Sequence, residues 1–328
     1  MKKSARNRII IWSVVSVLLI GLLISGMTFF KNMGAISFGN TWIGTDFSDY
    51  KSGDAEFEVE TVKRLNINWT SGNVRVIRGT SNKVKISEVL NSSDETMQYH
   101  LDSDGTLKIY DSKREFKIFS MEFFSYKRSK ELTVQVPSDA KFLEIDISTA
   151  SAGVKIESNS AEELSVSTAS GNIELFDVDG KTLDLDTVSG EIDAKKCTYT
   201  DIEVNSISGR SEINTYSNCH EFAAESVSGD IIVCFDNFYS EQKSSDSEIY
   251  KISGASVSGA VEVNLPVGIK GFTAELDSIS GYKNVNFDVL QKNDKIIYGN
   301  GESKIDIETV SGAIEINKVG EKTEHIYE

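Results

Sequence analysis

Serine is the residue type that first suggests chemistry in this chain, because it recurs in one fixed context. The tetrapeptide [Thr/Ser]-x-Ser-Gly ends at Ser170-Gly171, Ser189-Gly190, Ser208-Gly209, Ser228-Gly229, Ser258-Gly259, Ser280-Gly281 and Ser311-Gly312. Two degenerate copies join them: Ser71-Gly72, which follows Trp69-Thr70, and Ser151-Ala152, where alanine takes the glycine slot and Gly153 follows. A nucleophilic serine needs a base within hydrogen-bond reach. The three histidines, His100, His220 and His325, fall at no matching spacing. The row therefore reads as a structural bend ladder, with serine hydroxyls bonding bend amides or each other from coil to coil.

Carboxylates recur as regularly. With the glycine slot as zero, slot −6 holds Asp184, Glu203, Glu275 and Asp306, and slot +3 holds Glu174, Asp193, Glu212, Glu262 and Glu315. Acid–base cleavage of a polysaccharide needs such groups clustered on one face of neighbouring coils. Here they appear on nearly every coil, as a solvated face would, and Ser165, Ala223, Lys155 and Ile232 interrupt them. The glycine-aspartate nonapeptides of calcium-binding solenoids are missing, and no glycine-rich phosphate loop follows a strand. No catalytic, cofactor-binding or metal-binding residue is assigned, and no cofactor is expected. The weakest of the functional readings is a polysaccharide-active enzyme. Cys197, Cys219 and Cys234 are odd in number, so one thiol stays unpaired within the chain. Cys197 and Cys219 lie 22 residues apart, about one coil, which leaves open either a bridge or buried thiols.

The elements that carry these residues follow from the spacing. From position 152 the zero slots step by 19, 19, 19, 20, 30, 22 and 31 residues, the longer steps being one coil plus an insertion. Apolar residues fall at −7, −5, −2, +2 and +4: Leu183, Leu185, Val188, Ile192 and Ala194 around Gly190, and Ile305, Ile307, Val310, Ile314 and Ile316 around Gly312. Alternation on each side of zero is strand periodicity. Each unit is two short strands joined at a Ser-Gly bend. A 19-residue unit cannot bury its apolar side alone, so the units stack. The predicted fold is all-β, a β-solenoid of the single-stranded β-helix kind with about 19–20 residues per coil. A sandwich or propeller would show hairpin signals or periods near 40 residues. Asp104-Gly105 is the turn of a predicted hairpin inside the long step from 72 to 152.

One stretch departs from the acidic background. Residues 113–130 hold Lys113, Arg114, Lys117, Lys127, Arg128 and Lys130 against Glu115 and Glu122, with Phe116, Phe119, Phe123, Phe124 and Tyr126 interleaved. Packed aromatics under solvated charges are the plain reading. The sharper reading is a contact for anionic lipid, wall polymer or a partner protein.

The formal net charge of −16 over 328 residues argues against nucleic acid as a partner. Residues 1–8 are a basic tail with Lys2, Lys3, Arg6 and Arg8, and residues 9–30 carry no charge. Twenty-two residues of helix span about 33 Å, enough for a hydrocarbon core. The flanking charges put the N-terminus in the cytoplasm and the remainder outside. A cleaved signal peptide is the competing reading, with Ile24-Ser25-Gly26 a poor cut site. Without residues 1–31 the net charge is −21. The expected organisation is a 1–8 tail, a 9–30 membrane anchor, a 31–54 linker, a 55–320 solenoid carrying the 113–130 insertion, and a 321–328 tail.

Repeats such as Asp186-Thr-Val-Ser-Gly-Glu-Ile-Asp193 and Glu308-Thr-Val-Ser-Gly-Ala-Ile-Glu-Ile316 resemble the bacterial putative-adhesin family of β-strand-repeat proteins, as do Leu132-Thr-Val-Gln-Val-Pro137 and Tyr298-Gly-Asn-Gly301. The resemblance covers roughly residues 55–320. It implies a β-helix-like domain at the cell surface, behind one N-terminal anchor, in some relatives tied to envelope stress. It carries over no catalytic residue. The functional expectation is a membrane-anchored, non-catalytic interaction module. Its partners would be the membrane and an envelope protein or cell-wall polymer. The alternative is a surface adhesin or structural spacer contacting external polymer.

Overall fold

The computed structural model describes residues 47–90, 96–112, 130–216, 219–236, 249, 251–266, 268–292 and 294–319. The anchor expected at 9–30, residues 113–129 of the basic insertion and the 321–328 tail lie outside these residues. Among the described residues, no helix is long and apolar enough to cross a membrane. The chain divides into two compact units, Met1–Glu174 and Leu175–Glu328.

In the C-terminal unit each repeat contributes one strand before the bend and one after it, and equivalent strands pair in parallel. The register stacks Leu183, Ile202, Phe222, Ile252, Ile305 and Ala274 in one column. Leu185, Val204, Ala224, Gly254, Ile307 and Leu276 form the next. After the bend, Ile192, Ser211, Ile231, Val261 and Ile314 stack in the same way. Most of these apolar side chains are fully buried. Parallel stacking in register repeats one contact on every rung, so β-branched and leucine side chains close-pack in a dry column.

The N-terminal unit uses the same rung. Arg64–Trp69 pairs with Lys141–Thr149, setting Leu65 on Ile145 and Ile67 on Ile147. Gly72–Arg78 pairs with the start of Gly153–Thr168, setting Val74 on Val154 and Val76 on Ile156. The expected hairpin is present: Gln98–Leu101 and Thr106–Tyr110 run antiparallel, with Gly105 at φ 87° in the turn.

Two expectations need correction, and the order of the rungs is a feature that the spacing does not carry. Spatial order is not sequence order. Ser303–Thr309 lies between Lys251–Ser256 and Gly271–Ser278, so the rung of Gly312 sits inside the rung of Gly281. Arg64–Trp69 likewise lies between Thr106–Tyr110 and Lys141–Thr149. Antiparallel strands then cover three outer parallel ones: Gln98–Leu101 on Thr106–Tyr110, Lys83–Val89 on Lys130–Val136, and Lys295–Gly299 on Gly271–Ser278. An end rung of a parallel stack exposes a row of unpaired N–H and C=O groups, and a returning hairpin satisfies them.

Residues 47–54, expected as linker, belong to the folded domain: Phe47 and Tyr50 pack edge-on against Tyr110, and Lys51–Ser52 pairs with Gln98–Leu101. Finally, slot −2 is not core. Val188 is 40% and Ile279 55% exposed. Parity explains this: slots −7, −5 and −3 share one strand face, and −2 belongs to the other. The buried slot is −3, occupied by Thr149, Thr168, Thr187, Ser206, Ser226, Ser256 and Thr309.

Candidate functional site

The Ser-Gly bends line up within each unit. In the C-terminal unit the order is Gly190, Gly209, Gly229, Gly259, Gly312 and Gly281. In the N-terminal unit Gly72 stands beside Lys130, and Gly171 beside Ala152. Close approach, more than backbone dihedral, demands the glycine. At Gly171, Gly229, Gly259, Gly281 and Gly312 an added Cβ would lie 1.8–2.0 Å from the slot-zero carbonyl oxygen of the neighbouring rung. Gly72 combines both demands, with φ 98° and a Cβ position 1.9 Å from the Lys130 carbonyl oxygen.

Seven of the nine slot −1 serines donate twice to one carbonyl on the adjacent rung. The Ser228 N–H reaches Ile207 O at 2.9 Å and its hydroxyl reaches the same oxygen at 3.2 Å. Ser151, Ser170, Ser208, Ser258, Ser280 and Ser311 place their hydroxyls likewise on Thr70, Ala150, Val188, Val227, Val310 and Val257. The acceptors are carbonyls, not the amides or serines expected. Ser71 and Ser189 also have polar partners.

The buried slot −3 hydroxyl is a second structural residue that sequence reasoning passed over, although it opens the tetrapeptide. The N–H of Gly171, Gly190, Gly229, Gly259 and Gly281 donates to the side-chain oxygen of Thr168, Thr187, Ser226, Ser256 and Ser278 at 2.8–2.9 Å. A sharp bend leaves this N–H inside the column, where an unmade hydrogen bond is costly.

Carboxylates of slots −6 and +3 face outward and meet in register: Asp184 beside Glu203, Asp306 beside Glu275, Asp193 beside Glu212, Glu262 beside Glu315. Burial and then the Glu275 carboxylate raise the Asp306 pKa, and burial with Glu203 raises that of Glu225. Several of these acids are tied to other side chains. Lys295 binds Glu275 at 2.6 Å, Tyr282 donates to Glu315, and Asn264 and Asn317 both donate to Glu262. Among the described residues, no three His, Cys, Asp or Glu side chains are grouped to hold a metal ion.

No disulfide joins Cys197, Cys219 or Cys234. Register sets Cys197 beside Thr215, not Cys219, because the rung there is 18 residues long. Burial pushes the Cys197 and Cys219 thiols up to about 12, which makes them poor nucleophiles.

Of the expected contact residues, Lys113, Arg114, Lys117, Phe119, Phe123, Phe124, Tyr126, Lys127 and Arg128 lie outside the described residues. Lys130 is described, and it is not a surface contact. Its side chain is 9% exposed, 3.2 Å from the Glu88 carboxylate, which is 3% exposed. The ammonium also donates to Asp111 O at 2.6 Å and sits 5.8 Å over the Trp69 ring. Lys130 and Asp111 thus close the base of the 113–129 insertion.

Two exposed features remain. At slot −2 the C-terminal unit presents Val188, Ile207, Val227, Val257, Val310 and Ile279, one per rung, all exposed or half-buried. The N-terminal unit has Thr70, Ala150 and Ala169 there. In the N-terminal unit a cleft of about 470 Å³ opens over Gly153, between Asn73 and Asn172 and beside Arg75 and Lys155.

The family model described as Toastrack DUF4097 matches residues 62–317. No curated protein matches. Among solved structures, a putative cell adhesion protein from Clostridium sporogenes ATCC 15579 is similar at 15% identity over 82% of this chain and 99% of that chain, with a TM-score of 0.24. A putative adhesin from Bacteroides fragilis NCTC 9343 is similar at 12% identity over 81% and 97%, with a TM-score of 0.31.

Proposed function

The chain belongs to the Toastrack DUF4097 family, and on that footing we propose that it is a non-catalytic binding module of the cell surface, held by the apolar segment 9–30 and engaging an envelope partner through its bend row. The observation that carries this is the aliphatic line at slot −2. Nothing in the rung requires an apolar residue there, since the side chain points to solvent and Thr70, Ala150 and Ala169 fill the slot elsewhere. Yet all six rungs of the C-terminal unit carry valine or isoleucine. At about 4.8 Å per rung they form a stripe roughly 24 Å long, next to the exposed serine hydroxyls. An apolar line of that length on a polar, acidic surface is the kind of feature that marks an interaction face. The supporting sequence features are the uncharged 22-residue run and the basic tail before it. An envelope-stress role and contact with wall polymer through residues 113–129 belong to the same proposal.

The experiment is photo-crosslinking in intact cells from a probe at Val227, with Val188→Ser/Val257→Ser as the competing variant. A discrete crosslinked product that the double substitution removes supports the reading. A probe that captures only water, in cells whose surface proteolysis shows the domain outside, refutes it.

A further inference from the structure

We propose that the cleft over Gly153 is a binding site for an uncharged, hydroxyl-rich ligand, a saccharide unit. It lies within the N-terminal unit, lined in part by the bend residues Gly72, Ser151, Ser170 and Gly171, and does not depend on the aliphatic stripe of the C-terminal unit.

Gly153 has no structural reason to be glycine. Its backbone is not in the left-handed region, and a Cβ there would meet only the Asn73 side-chain oxygen at 3.2 Å and the Asn172 carbonyl at 3.9 Å. This contrasts with Gly171, where a Cβ would strike the Ala152 carbonyl at 1.9 Å. In this rung Ala152 takes the buried zero slot, and the glycine is displaced by one, onto the outer face. What the glycine provides is space. It opens a hollow at slot +1 between Asn73 on one neighbouring rung and Asn172 on the other; the Val154 N–H donates to Asn172 O at 2.8 Å across that junction.

The walls define the chemistry. Slot +3 is acidic at four of the six rungs of the C-terminal unit (Asp193, Glu212, Glu262 and Glu315). Here it carries Arg75 and Lys155 side by side in register. Like charges paired across parallel strands destabilise a sheet unless something offsets them. Arg75 is 3.2 Å from Glu131 and Lys155 is 2.8 Å from Glu157, so each cation arrives with its own carboxylate. Glu174 closes the same wall. The lining therefore offers donors and acceptors without a net positive centre. A polyanion would face repulsion from a chain of net charge −16. An apolar ligand would strip water from five charged groups for no return. A vicinal diol gives and takes a hydrogen bond at each oxygen. Asn73, Asn172 and Ser151 also do both, and the bare backbone at Gly153 leaves a flat floor for the ring's C–H face. The volume of about 470 Å³ lies within the range of small-molecule sites.

The test is saturation-transfer NMR on the purified full-length chain, with glucose, galactose, mannose, N-acetylglucosamine and their β-linked disaccharides as probes, and glucuronate and glycerol phosphate as charged controls. Gly153→Leu fills the hollow with no backbone conflict, and Asn73→Ala removes one wall. Transfer to at least one neutral sugar, lost in both variants while their thermal midpoints match the parent, is the expected result. Absence of transfer to every sugar overturns the proposal. So does transfer that survives Gly153→Leu. Transfer confined to glucuronate or glycerol phosphate overturns the neutral assignment and makes the Arg75–Lys155 pair an anion site.

Discussion

Replacing Gly229 by alanine tests the stacked-bend geometry most directly. The new methyl carbon would stand 1.8 Å from the Gly209 carbonyl oxygen, 2.7 Å from its carbon and 3.0 Å from its nitrogen. All three are backbone atoms, so no side chain can swing aside. Relief to 3.0 Å needs the two rungs to part locally by about 1.2 Å. The bonds nearest the bend, Ser228 N to Ile207 O at 2.9 Å and Val227 N to Ser206 O at 3.2 Å, then exceed bonding range. Losing two such bonds near the core, with their groups left poorly solvated, costs about 3–5 kcal/mol. That is a large part of the roughly 5–15 kcal/mol that holds a domain. The measurement is urea unfolding of the full-length chain followed by far-UV dichroism, with Ser228→Ala beside it. The Ser228 hydroxyl shares its acceptor with the N–H of the same residue and is exposed, so its removal should change stability by less than about 0.5 kcal/mol. A Gly229→Ala loss below about 1 kcal/mol would refute contact between neighbouring bends.

Thr187→Val keeps shape but strips the acceptor of the Gly190 N–H, 2.8 Å away; a loss of about 1–3 kcal/mol in the same unfolding assay is expected. Lys130→Met leaves Glu88 buried without its cation, at a cost of about 3–5 kcal/mol, and the pair Lys130→Met/Glu88→Leu should recover most of it, which a double-mutant cycle reads. Asp146 is raised by burial, and then by Glu144, to about 6. An acid whose folded value is raised stabilises the fold at low pH, and that contribution is lost as pH climbs from near 4 to near 6. Asp146→Asn, which keeps an acceptor for Asn66 Nδ2, should gain at most about 2–3 kcal/mol at pH 7 and nothing at pH 3.5; equal gains at both values would sink the assignment.

Period and composition carried the strands, the bends and the columns at −7, −5, +2 and +4, because each rung meets a copy of itself and its pattern is local. The same local reading misplaced Val188 and Ile279, since it took apolar character for burial where strand parity points outward. It passed over the slot −3 hydroxyls for a related reason: a buried threonine is legible only once the bend N–H beside it is known. Spatial order was beyond the sequence altogether. Nothing in the spacing says that Ser303–Thr309 slips inside Gly271–Ser278, since any rung can stack on any other and only the edge-covering hairpins break the tie. Lys130 counted as one more cation in a basic run, yet Glu88, 42 residues earlier, draws it inside. The cleft over Gly153 required Asn73 and Asn172 to become neighbours, and only stacking rungs from distant parts of the chain brings them within reach of one ligand.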